Sequence, residues 1–131
     1  MTKRDASCSC GQLRLEVDGD PIRVTVCHCL ACQKRTGSTY GAQGLFDRDK
    51  VTVEGSSSEY LRVGDEGCQI SFHFCPRCGA TVYYFIDQFT DYVAIPVGVF
   101  ADPDFPPPVF SIYEARKHAW VSVPADTRHA D

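Results

Sequence analysis

The sequence lacks a long apolar segment. Its longest uninterrupted apolar run, VYYFI at residues 82–86, is far shorter than the roughly 20 residues that a membrane-spanning helix needs. The N-terminal stretch MTKRDASCSC is charged and is not followed by the apolar stretch of a signal peptide. We therefore expect no membrane partner, no export, and a cytoplasmic location in which cysteine thiols remain reduced.

The chain also lacks a concentrated basic surface. It has 13 Lys and Arg against 17 Asp and Glu, a formal net charge of −4, and its basic residues are scattered rather than gathered into a stripe. A site for DNA or RNA needs such a stripe to follow the phosphates. Seven thiolates on two divalent ions would shift the charge by about −3 more. We therefore expect no nucleic-acid partner.

Motifs of several enzyme classes are missing as well. There is no GxSxG nucleophile elbow, no phosphate-binding glycine loop and no HExxH helix, and the four histidines are scattered. These absences argue against hydrolase triads and against nucleotide use. Helical patterns are rare too. They indicate only a turn or short helix after Cys29 toward Gly37 and a brief turn near residues 113–117.

Short alternating segments predict a mainly β fold. In QLRLEV (residues 12–17) and IRVTV (residues 22–26) every second residue is apolar, and the DGDP turn between them predicts a β-hairpin. Further strands are predicted at residues 40–46, 50–53, 59–63, 69–74, 80–86, 92–99 and 119–123. With no linker or repeat, we expect one domain of short antiparallel sheets. The proline-rich segment 101–108 should be an exposed loop, and the tail from Pro124 should be frayed.

Cysteine is the unusual residue of this chain. There are eight, and seven fall into three tight groups: Cys8 with Cys10, Cys27 with Cys29 and Cys32, and Cys75 with Cys78. Such close neighbours are poorly placed to form a disulfide with each other, whereas residues i and i+2 of a strand can present two sulfurs to one ion. The grouping therefore favours metal binding. Cys68 belongs to no group and is expected to be a buried or half-buried side chain rather than a ligand.

The segment Cys75-Pro-Arg-Cys78-Gly79 has the form of a zinc knuckle. Proline fixes the turn, and glycine after the second cysteine tolerates a backbone conformation in which amides point at the sulfurs. One knuckle supplies two ligands, whereas a structural zinc takes four in a tetrahedron. Cys8 and Cys10 are the natural complement. We therefore predict a closed, structural zinc held by Cys8, Cys10, Cys75 and Cys78.

The remaining group, Cys27, Cys29 and Cys32, contains three ligands rather than four. Three protein ligands leave a zinc with an open position for water or substrate, which distinguishes catalytic sites from closed ones. We therefore predict a second, open zinc here, and two Zn²⁺ ions per chain.

Alternatives to an open zinc site at these three cysteines remain. His28, His73 or Cys68 could be a fourth ligand and make the second zinc structural. In an extended strand, however, His28 would project away from the neighbouring thiols. By the alternation of QISFHF, His73 shares a face with Cys75 and could lie near the other site. Iron–sulfur ligation is less well supported because the Cys-x-Cys-x-x-Cys string matches neither common iron–sulfur spacing.

The ordered motifs of the chain resemble one known family. C-x-C-G (residues 8–11), C-H-C-x-x-C-Q-K-x-T-G (27–37), F-C-P-x-C-G (74–79) and GVFADP (98–103), followed by Trp120, are similar to the glutathione-dependent formaldehyde-activating (GFA) family with its Mss4-like fold. The resemblance covers roughly residues 7–123, which we take as the ordered core of a single domain, 1–131. It implies a closed zinc at the outer cysteine pairs and a second zinc at the central triplet, where a thiol substrate binds. Many members carry a histidine close to where this chain has Ser111.

The resemblance also implies a reaction, carbon–sulfur lyase chemistry of the S-(hydroxymethyl)glutathione synthase type. A free thiol is mostly protonated at neutral pH, whereas zinc deprotonates it, so a bound thiol such as glutathione could add to an aldehyde. Candidates for the general acid are Tyr40, Thr36, Ser38 and His73. Two non-enzymatic functions stay open: a zinc-stabilised binding module, and a thiol-based sensor of metal or oxidants.

Overall fold

The structure is a computed structural model that describes residues 2–64, 66–124 and 126–131. Within these residues the chain forms eleven β-strands and one α-helix, which confirms the prediction of a mainly β fold. The strands are β1 (Lys3–Ser7), β2 (Arg14–Asp18), β3 (Arg23–Cys27), β4 (Gly41–Asp47), β5 (Val51–Glu54), β6 (Ser58–Val63), β7 (Gln69–Phe74), β8 (Thr81–Ile86), β9 (Tyr92–Pro96), β10 (Phe110–Ile112) and β11 (Arg128–His129). The helix is α1 (Leu30–Thr36). Within the described ranges, no helix has the length and apolar character to cross a membrane.

The strands form two sheets. The small sheet has the order β1-β2-β5 and the large sheet the order β11-β10-β3-β4-β9-β8-β7-β6. Most neighbours are antiparallel, as predicted, but β10 runs parallel to both β3 and β11. Because β10 joins the large sheet beside β3, it brings a late segment of the chain against the cysteine triplet at the end of β3.

The predicted hairpin of residues 12–17 with 22–26 is wrong. β2 is paired on one edge with β1 and on the other with β5, whereas β3 pairs with β4 and β10 in the other sheet. The alternation did identify the buried face of β2, since Leu15 and Val17 are buried. Alternation reports which face of a strand is covered, but not which strand pairs with its backbone. The DGDP turn therefore connects two sheets.

The main apolar core includes side chains from both sheets. Leu13, Phe46 and Ile95 are almost completely buried in it, and it also contains Cys8 and Cys75. Burial of this apolar area is the principal stabilising term of such a fold. The two cysteines therefore occupy positions that depend on the packing of both sheets.

The proline-rich segment 101–108 is mostly exposed, as expected, but one residue anchors it. Phe105 is buried, and its ring stacks on Phe100 with 4.7 Å between the centroids. The guanidinium of Arg4 lies 5.0 Å from the centre of the same ring. The aromatic side chain of Phe105 thus holds the loop to the core.

Two predictions for the C-terminal part are wrong. Residues 119–123 are not a strand, because the N–H of Val121 donates to the carbonyl oxygen of His118 at 3.0 Å and closes a turn. The tail after Pro124 is not frayed, because β11 pairs with β10, and Thr127 is buried. Neither β11 nor β10 has enough alternating residues to be recognised in the sequence, so their strand conformation depends on tertiary pairing.

The helix α1 follows the predicted boundaries, since it begins after Cys29 and ends before Gly37. The Sγ atom of Cys29, at the N-cap, accepts a hydrogen bond from the N–H of Cys32 at 3.3 Å. Gly37, at the other end, is left-handed with φ +71° and donates its N–H to the carbonyl oxygen of Gln33. A cysteine thus takes the capping role that Ser or Asp usually has.

Gly55, in the turn after β5, offers a test of the fold. Its φ is +99°, and a Cβ atom there would lie 2.0 Å from the carbonyl oxygen of Gln12. Gly67 is the matched control, because its φ is +86° but no atom of the described residues lies within 4 Å of the position that a Cβ would occupy. We predict that Gly67→Ala costs about 1–2 kcal/mol of unfolding free energy from backbone strain alone. Gly55→Ala should cost a further ~1–3 kcal/mol from the clash. Urea unfolding of both variants checks this, and equal losses would contradict it.

Candidate metal centres

Four cysteines from distant parts of the chain meet in one cluster. The Sγ atoms of Cys8, Cys10, Cys75 and Cys78 all lie within 4.8 Å of one another. Two of these separations are 3.6 Å, between Cys8 and Cys10, and 3.7 Å, between Cys10 and Cys75. Four sulfurs bound tetrahedrally at about 2.3 Å from one ion would be about 3.8 Å apart, whereas a disulfide requires about 2 Å. The cluster therefore fits a tetrahedral metal ion, and all of its cysteines are free.

Two similar turns position these sulfurs. Cys8 follows β1, and its N–H donates to the carbonyl oxygen of Leu13 at 2.9 Å. Cys75 follows β7, and its N–H donates to the carbonyl oxygen of Ala80 at 3.0 Å. Gly79 has φ +81°, and its N–H donates to the carbonyl oxygen of Cys75 at 2.8 Å. Each turn therefore presents two sulfurs toward the same point.

The surroundings of Cys75 stabilise a thiolate. Its Sγ accepts hydrogen bonds from the Gln12 side-chain amide at 3.1 Å and from the Arg77 N–H at 3.3 Å. Burial opposes ionisation, but these donors, together with the backbone N–H of Cys78, lower the pKa of Cys75 to about 6. Donors of this kind orient a metal ligand and stabilise its negative charge.

Sequence patterns do not identify Gln12 as part of this cluster. Besides its contact with Cys75, its Nε2 donates to the carbonyl oxygen of Ser56 at 2.7 Å, and its Oε1 accepts from the N–H of Ser56 at 3.0 Å. Gln12 thus ties the turn after β5 to the sulfurs. Its place two residues after Cys10 is the only signal in the sequence, and it is a weak one.

The second cluster is built from a single short segment. The Sγ atoms of Cys27, Cys29 and Cys32 also lie within 4.8 Å of one another. Cys27 is the last residue of β3, Cys29 is the N-cap of α1, and Cys32 lies in the first turn of α1. Cys27 and Cys32 are buried and Cys29 is half-buried, so solvent reaches the cluster at Cys29.

This cluster also stabilises a thiolate. A hydrogen bond from the thiol of Cys27 is the largest effect on Cys32 and, with smaller contributions from Cys29 and the Arg35 guanidinium, lowers the pKa of Cys32 to about 5 despite burial. The same hydrogen bond, together with burial, raises the pKa of Cys27. The Arg35 guanidinium lies near the Cys32 sulfur. Both are close to Gly41: the Nη2 of Arg35 lies 3.1 Å, and the Sγ of Cys32 3.7 Å, from the position that a Cβ atom on Gly41 would occupy.

Three residues were candidates for a fourth ligand of this cluster, and none of them belongs to it: His28, His73 and Cys68. Among the described residues, no His, Asp, Glu or further Cys joins the three sulfurs at ligand distance. His28 is completely buried, and its Nε2 lies 2.8 Å from the Oγ of Ser111. His73 stacks on Tyr83 with 4.5 Å between ring centroids, and Cys68 is half-buried outside both clusters.

The four candidate general acids have different surroundings. Thr36 donates its hydroxyl to the carbonyl oxygen of Cys32 at 2.9 Å and accepts the N–H of Ser38 at 3.0 Å, so both residues complete the end of α1. His73 bonds through Nδ1 to the Ser57 hydroxyl at 3.0 Å. Tyr40 is partly exposed, and its ring centroid lies 6.0 Å from that of His28. The Tyr40 ring therefore lies beside His28, the residue between Cys27 and Cys29.

Tyr113 is a further hydroxyl near the triplet that the sequence does not indicate. The preceding residue, Ile112, pairs with Cys27 and accepts the N–H of His28 at 3.0 Å. Tyr113 is left-handed with φ +57°, an unusual conformation for a bulky residue, and its side chain is half exposed. Burial, followed by the charges of Glu66 and Cys27, raises the pKa of Tyr113. Sequence patterns cannot identify it because they do not predict β10, which brings it to the triplet.

The chain is similar to known proteins of one family. Residues 3–116 match the family described as glutathione-dependent formaldehyde-activating enzyme. Curated proteins from Fusarium vanettenii and Penicillium rubens that carry this family's name are each 29% identical over 97 residues, which is 67% of this chain. The match covers 52% and 50% of those proteins, so the chain spans about half the length of these relatives.

A solved structure supports the fold. A crystal structure of a Rhodobacter sphaeroides protein superimposes with a TM-score of 0.59 and 18% identity, covering 76% of this chain and 91% of that one. Identity this low shows similarity of fold alone. The family match, by contrast, extends over most of the sequence and includes all seven clustered cysteines. The chain therefore belongs to the glutathione-dependent formaldehyde-activating enzyme family.

Proposed function

We propose that the chain holds two Zn²⁺ ions and that a thiol such as glutathione binds at the second zinc and adds to an aldehyde. The observation that carries this proposal is the difference between the clusters, with four sulfurs in one and three in the other. Four thiolates complete a tetrahedral shell, whereas three leave a position for substrate. Membership of the family supports glutathione and an aldehyde as the partners. The reaction needs reduced thiols, which the cytoplasm supplies.

The reaction that we propose forms one carbon–sulfur bond. When bound at the triplet, zinc supplies a Lewis acid that keeps an added thiol deprotonated at neutral pH. The sulfur lone pair forms the new bond to the carbonyl carbon, and the π pair of the C=O bond moves to oxygen. The oxygen then takes up a proton, which replaces the one lost by the thiol. Nothing is oxidised or reduced, and the reverse direction is a carbon–sulfur lyase reaction.

Different residues of the chain would have different roles in this reaction. Cys27, Cys29 and Cys32 would hold the metal, and the Arg35 guanidinium stabilises negative charge at Cys32. Tyr113 is our candidate for the proton donor, because it lies beside the strand that ends in Cys27, reaches solvent, and stays protonated. The other cluster would then have a structural role, consistent with the burial of Cys8 and Cys75 in the core.

We predict that Cys29→Ser removes one of two zinc ions without unfolding the protein. The variant loses a sulfur ligand, but serine is a preferred N-cap and can accept the same N–H of Cys32. Cys75→Ser is the comparison, because this sulfur lies in the core and belongs to the other cluster. It should lose the structural ion and much of the fold. Metal analysis with circular dichroism measures both effects, and a Cys29→Ser protein that keeps two zinc ions would contradict the assignment.

We predict that glutathione adds a sulfur ligand to the bound zinc. In the free protein, seven protein sulfurs would coordinate the two zinc ions. With one glutathione bound, eight sulfurs would coordinate them, so the average number of sulfur ligands per zinc would rise. X-ray absorption at the zinc edge, with and without glutathione, measures the average number. S-Methylglutathione, which has no free thiol, is the control and should leave the number unchanged. If glutathione leaves it unchanged too, the open-site proposal fails and a binding module becomes the better interpretation.

We predict that Tyr113→Phe slows adduct formation by about a hundredfold, the usual contribution of a positioned proton donor. The variant keeps the aromatic ring, so its zinc content and the sulfur number with glutathione should equal those of the wild type. Tyr92→Phe, at the start of β9, is the matched control and should retain the wild-type rate. Rapid-mixing measurement of aldehyde consumption compares the two, and equal rates would exclude Tyr113 as the donor.

A further inference from the structure

A cavity of about 490 Å³ lies between α1 and the end of the large sheet. Its helical side is formed by α1, including Lys34 and Arg35. Its other side is formed by β6 and β7, including Tyr60, Arg62 and Phe72. This volume is typical of a small-molecule site. It is much larger than a molecule such as formaldehyde requires.

Strand register explains why these side chains face the cavity together. Tyr60 of β6 is paired with Phe72 of β7, and Arg62 lies two residues after Tyr60. Since alternate residues of a strand share a face, the two β6 side chains and the Phe72 ring lie on the same side of the sheet. The opposite face of β7 carries His73, which stacks on Tyr83. The strand register therefore places these cavity-lining side chains together on one face of the sheet.

The cavity has positive charge, and none of its described lining residues is acidic. Lys34, Arg35 and Arg62 line it, and among the residues with described positions none of the three forms an ion pair. The guanidinium groups of Arg35 and Arg62 lie 5.2 Å and 5.0 Å from the centre of the Phe72 ring. The Nε of Arg35 is buried and has no hydrogen-bond partner among the described residues. Unpaired donors held against an aromatic surface favour a ligand that has both negative charge and a flat apolar part.

We propose that this cavity binds a small aromatic carboxylate. The arginine groups, which are held against the buried Phe72 ring, would pair with the carboxylate, and the exposed ring of Tyr60 would contact the apolar part. Resting on the function proposed above, we infer further that this ligand is the carbonyl substrate, an aromatic aldehyde that carries a carboxylate, rather than formaldehyde.

The position of the cavity supports this link to the triplet. Cys32 and Arg35 are three residues apart on α1 and are therefore neighbours on its surface. The guanidinium of Arg35 lies next to the Cys32 sulfur and also lines the cavity. A ligand paired with Arg35 would therefore lie beside the cluster that we assign to the thiol. Glutathione is polar along its whole length and offers no flat apolar group to the rings.

Benzoate is the probe for the test. Titration into ¹⁵N-labelled, zinc-loaded protein, without any thiol, should shift the amide signals of Lys34, Gly79 and Thr81. Benzamide keeps the ring without the charge, and propanoate keeps the charge without the ring. Benzoate should bind about tenfold more tightly than either, because benzamide lacks the charge-assisted hydrogen bond and propanoate lacks the apolar contact of the ring. Equal binding of all three, or shifts elsewhere on the protein, would overturn the proposal.

The chain offers a matched pair of arginines as a control. Arg62 lies 5.0 Å from the centre of the Phe72 ring inside the cavity, and Arg48 lies 4.0 Å from the centre of the Phe85 ring outside it. Arg62→Gln should weaken benzoate binding about tenfold. Arg48→Gln removes the same charge and the same kind of ring contact, and it should leave binding within about twofold of wild type. Equal weakening would show a non-specific charge effect and overturn the assignment. Should Arg62→Gln fail to fold, Lys34→Gln, on the exposed side of α1, replaces it.

The remaining measurements separate this site from the proposed reaction. Benzoate binding does not require a thiol, so benzoate can bind even if glutathione adds no sulfur ligand to zinc. Glutathione can likewise add a sulfur ligand even if benzoate does not bind. 4-Formylbenzoate should displace benzoate and form an adduct with glutathione in the wild-type protein. If S-methylglutathione displaces benzoate instead, the cavity holds the carboxylates of the thiol, and its assignment to the carbonyl substrate is overturned.

Discussion

The contact between sulfurs that are far apart in the chain is the constraint on which this architecture depends. Cys10 and Cys75 are separated by 65 residues, yet their sulfurs lie 3.7 Å apart. Burying thiolates together costs free energy unless positive charge compensates them. The hydrogen bonds from Gln12 and Arg77 supply only part of that compensation. A metal ion would supply the rest and, by closing a long loop, would restrict the unfolded chain as well. The end of β1 and the end of β7 are therefore coupled through this cluster.

The triplet has the opposite character, because one short segment builds it. The N-cap hydrogen bond between Cys32 and Cys29 forms within a single turn, so the sulfurs are brought together by local helix formation. Loss of a ligand here would break no long-range connection. In our proposal, this difference explains how one cluster can be part of the core while the other would exchange a ligand during a reaction. In our proposal, stability and chemistry are thus separated between two sites that use the same element and the same ligand type.

The sequence alone predicted local features and the meeting of the two outer cysteine pairs, but not how the strands pair. Cysteine spacing, the helix after Cys29 and the mainly β character follow from neighbours in the chain, and the structure agrees with them. The partner of β2 does not follow, because a strand's alternation contains no information about its neighbour. The same limit applies to Gln12 and Tyr113, which reach the clusters through a side-chain bond to Cys75 and through the pairing of β10 with β3. Unlike the paired cysteines, a single residue such as Gln12 or Tyr113 has no sequence pattern that marks its distant contact.

In our proposals, substrate choice and reaction type depend on different residues of this molecule. The cysteines explain the family, and relatives at 29% identity carry the same name, but fold and metal ligands do not determine the substrate. The residues that would select a substrate are Arg35 and Arg62, on α1 and β6, and neither is a candidate metal ligand. A substitution of a cavity residue such as Arg62 could change the charge or size of the cavity without disturbing the sulfurs, because Arg62 contacts Phe72 rather than a cysteine. The helix α1 is the exception, because it carries both Cys32 and Arg35. A change in its position would alter the metal cluster and the cavity together, so α1 is the element through which ligand binding in the cavity could affect the reactivity of the triplet.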